Sequence, residues 1–220
     1  MGKVLFVVAG GELHDLKFFQ SKINELKPAE IICADSGAGY LHALGMIPDV
    51  IIGDMDSLSP EIGIHLKKRG SRIIEYPKTK DETDTWLSLD YAIQLAPDEI
   101  YVFAASGARI DHTLANLSLL MRGIKNHVPV RLLDENCEIF LVHGNRVIKG
   151  EIGQTVSVLP FSGTATGITL QGFEYPLKNG VMETGSPYGV SNRLNSTRGT
   201  IEVRSGYLLV IRYFKTGFSP

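Results

Sequence analysis

Aspartates recur in this 220-residue chain at places where a carboxylate can do more than solvate a surface. Asp54-Met55-Asp56 sets two of them one residue apart, between Gly53 and Ser57, on what reads as a tight turn. Such a pair either shapes its turn or converges on one hard divalent cation. Packed like charges favour the cation, which relieves their repulsion and suits magnesium, a metal that takes a few carboxylates together with water and phosphate oxygens. Asp35-Ser36-Gly37-Ala38 and Lys80-Asp81-Glu82-Thr83-Asp84 supply further carboxylates. Asp81 suits a helix N-cap, while Asp84 suits both the helix dipole and a metal or substrate. Gly107-Ala108-Arg109 brings a guanidinium to a helix start, a good seat for phosphate. Asp111 either caps that helix or joins the acidic set. His112 and Asn116, one turn apart, face either a nucleotide or solvent. Lys78 and Lys80 either add charge to the site or are simply solvated.

Several other chemistries lack their residues. No Gx4GK[ST] phosphate loop exists, no GxGxxG follows the first apolar run, and no GxSxG elbow is present. Cys33 and Cys137 stand far apart without a CxxC or a histidine at ligand spacing, so they read as buried thiols and not as a zinc site. His14, His42, His65, His127 and His143 show no ligand spacing either.

The elements that must carry these residues are legible from periodicity. Residues 3–9 (KVLFVVA), 30–34, 49–52, 72–75, 99–104 and 128–133 are short apolar runs of the kind that form a parallel sheet covered on both faces. Between them, Trp86, Leu89 and Ile93, and then Leu114, Leu117, Met121 and Ile124, follow helical spacing. A polar cluster follows each of the first five runs, where a doubly wound sheet binds its ligands. Beyond about residue 140 the pattern changes to short β-branched runs (155–160, 168–171, 200–204 and 208–213) separated by Gly, Ser, Asn and Pro, with no convincing helix. Residues 138–143 and 146–149 flank Gly144-Asn145 as a hairpin would. The expected fold is therefore α/β, a Rossmann-like mostly parallel sheet domain over 1–140, followed by an all-β antiparallel sandwich domain over 141–220.

Charge divides the same way. Residues 1–140 hold 14 Lys+Arg against 20 Asp+Glu, and residues 141–220 hold 8 against 4, so a net charge of −2 averages −6 and +4. All eleven aspartates lie between Asp15 and Asp134. The weak net charge argues against nucleic acid as a partner. No apolar stretch is long enough to span a bilayer, and the N-terminus lacks a signal pattern, so a cytoplasmic protein without membrane contact is expected.

The ordered set Asp35-Ser36-Gly37-Ala38, Ile51-Ile52-Gly53-Asp54-Met55-Asp56-Ser57, Lys80-Asp81-Glu82-Thr83-Asp84 and Gly107-Ala108-Arg109-Ile110-Asp111-His112-Thr113-Leu114-Ala115-Asn116 resembles the thiamine pyrophosphokinase family. Tyr175-Pro176-Leu177 and Ser191-Asn192 extend the resemblance to the C-terminal half. It implies transfer of an intact diphosphate from ATP to the thiamine hydroxyl with Mg²⁺, releasing AMP, in a homodimer whose active site is shared between subunits. By the same resemblance, Asp54 and Asp56 hold the metal, and Asp35, Asp84 and Asp111 are catalytic carboxylates. Asp84 and Asp35 are equally suited to accept the hydroxyl proton. Thr83, Arg109, Asp111, His112 and Asn116 bind ATP. Ser191 and Asn192 contact thiamine, with Tyr175 as an aromatic wall for a cationic ring. Ala108 departs from the family, which commonly has a second glycine there. Three alternatives stay open: a diphosphokinase for another alcohol such as a pterin, a glycosyltransferase resting on Asp54-x-Asp56 alone, and a non-catalytic nucleotide sensor.

Overall fold

The computed structural model describes residues 2–216, in two compact units that divide between Glu135 and Asn136. The expected boundary at 140 therefore falls a few residues into the first strand of the second unit.

In the first unit six parallel strands, β1 (Val4–Val8), β2 (Glu30–Ala34), β3 (Val50–Gly53), β4 (Arg72–Glu75), β5 (Glu99–Phe103) and β6 (Val130–Leu133), lie in the order β4-β3-β2-β1-β5-β6. Side chains of β1, β2 and β3 are buried almost throughout, because helices cover both faces of a parallel sheet. The helices are α1 (Leu16–Leu26), α2 (Ala38–Ala43), α3 (Pro60–Lys68), α4 (Asp84–Gln94) and α5 (Ile110–Lys125). The order reverses at β1, whose neighbours are β2 and β5. A doubly wound sheet binds its ligands beyond the carboxyl ends of its strands, near such a reversal.

Two helices bury faces other than those the spacing predicts. On α5 the buried residues are Asn116, Leu119, Leu120 and Gly123, while Leu114 is 61% exposed. Apolar residues occur on several sides of α5, so periodicity alone does not choose. The choice falls to close approach: a Cβ on Gly123 would lie 2.5 Å from Val130 Cγ2. On α4 the buried residues are Thr85, Ser88, Leu89 and Ala92, and only Leu89 belongs to the expected stripe. The small residues let α4 lie against β1, β2 and β3. Trp86 instead donates its indole N–H to Asp90 at 2.9 Å, and Asp90 receives Arg122 of α5 through two bonds of 2.5 and 2.6 Å.

The second unit holds β7 (Cys137–Lys149), β8 (Gln154–Gln171), β9 (Leu177–Met182) and β10 (Arg198–Thr216), antiparallel in the order β7-β10-β8-β9. Among its described residues there is no helix, as expected. The hairpin at Gly144-Asn145 does not form. β7 runs through both residues and pairs with Val203 and Glu202 of β10. Gly144 has φ +79 but Asn145 does not share a positive φ, so the type I′ turn is not made and the glycine only bends the strand. The short runs expected at 155–160 and 168–171 are likewise two arms of β8, and those at 200–204 and 208–213 two arms of β10. Both arms face one core: Val156, Val158, Ile168 and Leu170 of β8 meet Ile201, Val203, Leu208 and Val210 of β10.

The bend in β10 sits at Gly206, φ +85, where an added Cβ would lie 2.6 Å from the Thr164 carbonyl oxygen. Gly206→Ala is expected to cost about 1–2 kcal/mol for the left-handed backbone alone, with the clash added, and to lower the melting temperature by several degrees. Gly39→Ala, in α2 at a site with nothing within 4 Å, is the control and should hold or raise the melting temperature, since alanine favours a helix over glycine. Equal melting temperatures for the two variants would refute this role of Gly206.

Candidate active site

The carboxyl ends of β2, β3 and β5 each lead into a non-glycine residue with left-handed backbone: Asp35 (φ 41), Met55 (φ 60) and Ala104 (φ 52). Each bends its chain sharply across the end of the sheet, a strained conformation that clusters where geometry matters. The loops after β1 and β5 are laced together by Gly11 N–H to Ala104 O (2.9 Å) and Glu12 N–H to Ser106 O (2.7 Å). Gly11 permits this, since a Cβ there would lie 2.3 Å from the Ser106 carbonyl oxygen. The result is a cavity of about 750 Å³ lined by the polar segments that follow β1, β2, β3, β4 and β5, within the range of small-ligand sites.

Asp35, Asp54 and Asp84 converge in it, with one oxygen of each within 4.8 Å of the others. Asp35 is buried. Its Oδ2 accepts the Ser57 N–H at 3.1 Å, and its Oδ1 has no partner. Burial pushes the Asp35 carboxyl above its ordinary value. The Ser57 hydrogen bond opposes this, and the charges of Asp84, Asp54 and Asp56 add to it. Lys80 Nζ lies 3.1 Å from Asp54 Oδ2 and 3.0 Å from Asp84 Oδ1. For Asp54, burial acts upward but is outweighed by the Lys80 and Asp56 hydrogen bonds, which hold its carboxyl below the usual range. Burial acts downward on Lys80, yet Asp84 and Asp54 hold its ammonium protonated. A Cβ on Gly53 would fall 2.9 Å from Asp35 Cβ and 3.0 Å from Asp84 Cγ, so glycine leaves the room in which the carboxylates meet. Three hard oxygen donors and an orphaned buried oxygen fit a magnesium ion.

Not every expected residue comes to this cluster. Asp56 lies outside it. Its Oδ1 accepts the Ser57 hydroxyl at 3.0 Å and its Oδ2 meets Lys78 at 3.2 Å, while its N–H donates to Asp54 Oδ1 at 3.2 Å. Asp111 is also outside, 63% exposed and bound to Arg109 through bonds of 2.9 and 2.6 Å. The Arg109 guanidinium holds the Asp111 carboxyl well below the usual carboxylate range. Arg109, His112 and Asn116 do line the cavity. The Asn116 amide donates to Ala105 O at 2.8 Å and braces the loop after β5. Thr83 lines it too and caps α4, its Oγ1 accepting the Trp86 N–H at 3.2 Å. Glu12 was not anticipated: its carboxylate accepts the Ala108 N–H at 3.0 Å and pairs with His14 at 3.0 Å. Only the glycine pair before it hinted at a loop there.

In the second unit, the Asn192 side chain is buried and fully used. It accepts the Tyr175 N–H at 3.0 Å and donates to Tyr175 O at 2.9 Å. Asn192 therefore sets the backbone of Tyr175, a residue 64% exposed. Ser191 has φ 59 and is pinned by its N–H to Ser157 Oγ at 3.0 Å, and its hydroxyl is not used in that bond.

Comparison with known proteins gives this geometry a family. Residues 24–132 match the family described as thiamin pyrophosphokinase, catalytic domain, and residues 145–208 match thiamin pyrophosphokinase, vitamin B1 binding domain. The thiamine pyrophosphokinase of Bacillus subtilis (strain 168) is 36% identical over 183 residues, 82% of this chain and 86% of that protein. The chain belongs to the thiamine pyrophosphokinase family. A crystal structure of the Bacillus subtilis thiamine pyrophosphokinase superposes with a TM-score of 0.85 at 31% identity, covering 97% of this chain and 100% of that one. The Geobacillus thermodenitrificans thiamin pyrophosphokinase gives 0.82 at 28%, covering 97% and 99%. The catalytic-domain match spans Asp35 to Asn116, and the vitamin B1 binding match spans Tyr175 to Asn192. Glu12 precedes both.

The raised Asp35 carboxyl has a consequence for stability. A carboxylate whose folded pKa lies above its unfolded one opposes folding at neutral pH, and the penalty fades as pH falls through the folded value. Asp35→Asn should therefore raise the melting temperature at neutral pH, by roughly 2–4 °C, while abolishing turnover. The gain should shrink as the pH is lowered toward the ordinary carboxylate range. A lower melting temperature for Asp35→Asn than for the wild type at pH 7 would contradict it.

Proposed function

We propose that the chain transfers the terminal diphosphate of ATP to the hydroxyl of thiamine, giving thiamine diphosphate and AMP. The observation that carries the reading is the convergence of Asp35, Asp54 and Asp84 in a cavity at the strand ends of a thiamine pyrophosphokinase family member. In this reading the thiamine oxygen bonds to the β-phosphorus, and the bond from that phosphorus to the bridging oxygen breaks, leaving the oxygen on AMP. Such a transfer needs in-line alignment and neutralisation of charge on the phosphate oxygens. Asp35, Asp54 and Asp84 would hold Mg²⁺, which supplies charge neutralisation and polarises the phosphoryl group.

The chain's own residues have separable tasks. Arg109 stands at the N-cap of α5 with its guanidinium exposed, available to the departing AMP side. Asp111 orients it through the two-bond pair and acts on the reaction through Arg109, in contrast to the catalytic carboxylate expected from sequence. The hydroxyl proton of thiamine would pass to Asp35 or Asp84, through a carboxylate oxygen that the metal leaves free. Thr83, His112 and Asn116 form the nucleotide wall. The acidic cavity favours a cationic thiazolium, and Tyr175, held by Asn192, offers it an aromatic face. The working form is a cytoplasmic homodimer in which the Tyr175 and Ser191 region of one subunit completes the site of the other. No helix of the described residues is long and apolar enough to cross a membrane.

The decisive measurement is product identity. ATP, Mg²⁺ and thiamine should give AMP and thiamine diphosphate in equal amounts; ADP with thiamine monophosphate would refute diphosphate transfer. Asp54→Asn should lower kcat by about a hundredfold or more with the fold intact by circular dichroism. Sedimentation equilibrium should show a dimer of the 24.1 kDa chain, and full turnover by a monomer would remove the shared site.

A further inference from the structure

Lys80 belongs to the loop between β4 and α4, four residues before Asp84, and its side chain is only 11% exposed. Its ammonium is shared between Asp54 and Asp84, at 3.1 and 3.0 Å, while Lys78 from the same loop meets Asp56 at 3.2 Å. The loop thus lays one lysine on each aspartate of Asp54-Met55-Asp56. The two carboxylates that Lys80 neutralises are members of the three-carboxylate cluster, whose third member, Asp35, keeps its buried Oδ1 without a partner. An ammonium and a divalent ion cannot both occupy the space between the same oxygens.

We propose that Lys80 is an internal counter-ion that holds the acidic cluster closed to bare divalent metal, so that the metal enters only together with a nucleotide. This rests on reading Asp35, Asp54 and Asp84 as the magnesium site. Three carboxylates gathered in a cavity need positive charge. With Lys80 in place, Asp54 and Asp84 are already paired, and a metal ion arriving alone must displace the ammonium into a poorly solvated position. A nucleotide changes this balance, because its phosphate oxygens give the displaced ammonium a new partner in the same cavity, which Lys80 lines. A lysine suits such an exchange: a compact charge with three rotatable donors on a flexible stem can leave two carboxylates for a phosphate without reorienting a planar fork. Ordered loading also prevents unproductive metal binding to the empty site.

The test is a titration of the free protein with Mn²⁺, followed by electron paramagnetic resonance, with and without a non-hydrolysable ATP analogue. The wild type should bind Mn²⁺ weakly alone and at least tenfold more tightly with the analogue. Lys80→Met should bind Mn²⁺ alone about tenfold more tightly than the wild type, and should lose most of the enhancement by the analogue. Lys80→Gln keeps a polar stem and should behave the same way, so the result does not depend on the folding of one variant. Lys80→Arg, which keeps the charge, should stay weak without nucleotide. If both Lys80→Met and Lys80→Gln bind Mn²⁺ alone as weakly as the wild type, while all three bind it with the analogue, the role of Lys80 is refuted and the metal site stands. If no form binds Mn²⁺ under either condition, the magnesium-site reading itself fails, and this inference with it.

Discussion

Three carboxylates within 4.8 Å of one another, one of them buried, are the costly arrangement around which the first unit is built. Like charges at that separation repel unless hydrogen bonds and cations compensate them. The compensation is local and specific: Ser57 N–H on Asp35, and Lys80 on Asp54 and Asp84. It is incomplete, since Asp35 Oδ1 stays unpartnered with its carboxyl raised, and Asp84 Oδ1 has the Lys80 charge at 3.0 Å but no hydrogen bond. A fold that keeps such a site trades stability for chemistry, as functional sites commonly do.

The scaffold holds the cluster in place by backbone means. Parallel strands deliver Asp35 and Asp54 at the ends of adjacent β2 and β3, and the N-terminus of α4 delivers Asp84 opposite them. Left-handed residues after the strands and a glycine at 53 let the side chains meet without clash. The Trp86–Asp90–Arg122 contact then ties α4 to α5, and the guanidinium also stacks over the indole at 4.7 Å. Asp84 and the cavity-lining residues of α5 are thereby carried on two helices fixed to one another.

The second unit solves a different problem. A small all-β unit must close a core with few strands, and long strands bent at glycines do so with one core instead of several short hairpins. The same economy governs Asn192, a buried amide whose side chain is spent on the backbone of the exposed Tyr175. A buried polar group must be satisfied internally, so the residue at the centre of a motif becomes its brace.

Much of this molecule was legible in its residues. Short β-rich apolar runs such as VLFVV and EIICA read as buried strands and are so, and the polar cluster after each one marks where a parallel sheet binds. The confinement of all eleven aspartates to residues 15–134 likewise located the acidic chemistry in the first unit. Spacing along the chain could not say which aspartates meet. Asp56 follows one residue after Asp54 yet lies outside the three-carboxylate group, while Asp84 comes from thirty positions further on. That selection depends on strand register and on the sign of φ at single residues, neither of which a residue type reports. Gly144-Asn145 was ambiguous for the same reason: glycine permits both a turn and a bent strand, and only the pairing with β10 decides between them. Local sequence thus determined which segments are strands and where the charge lies. The tertiary structure decided which charges face one another, because that follows from contacts between segments distant in the chain.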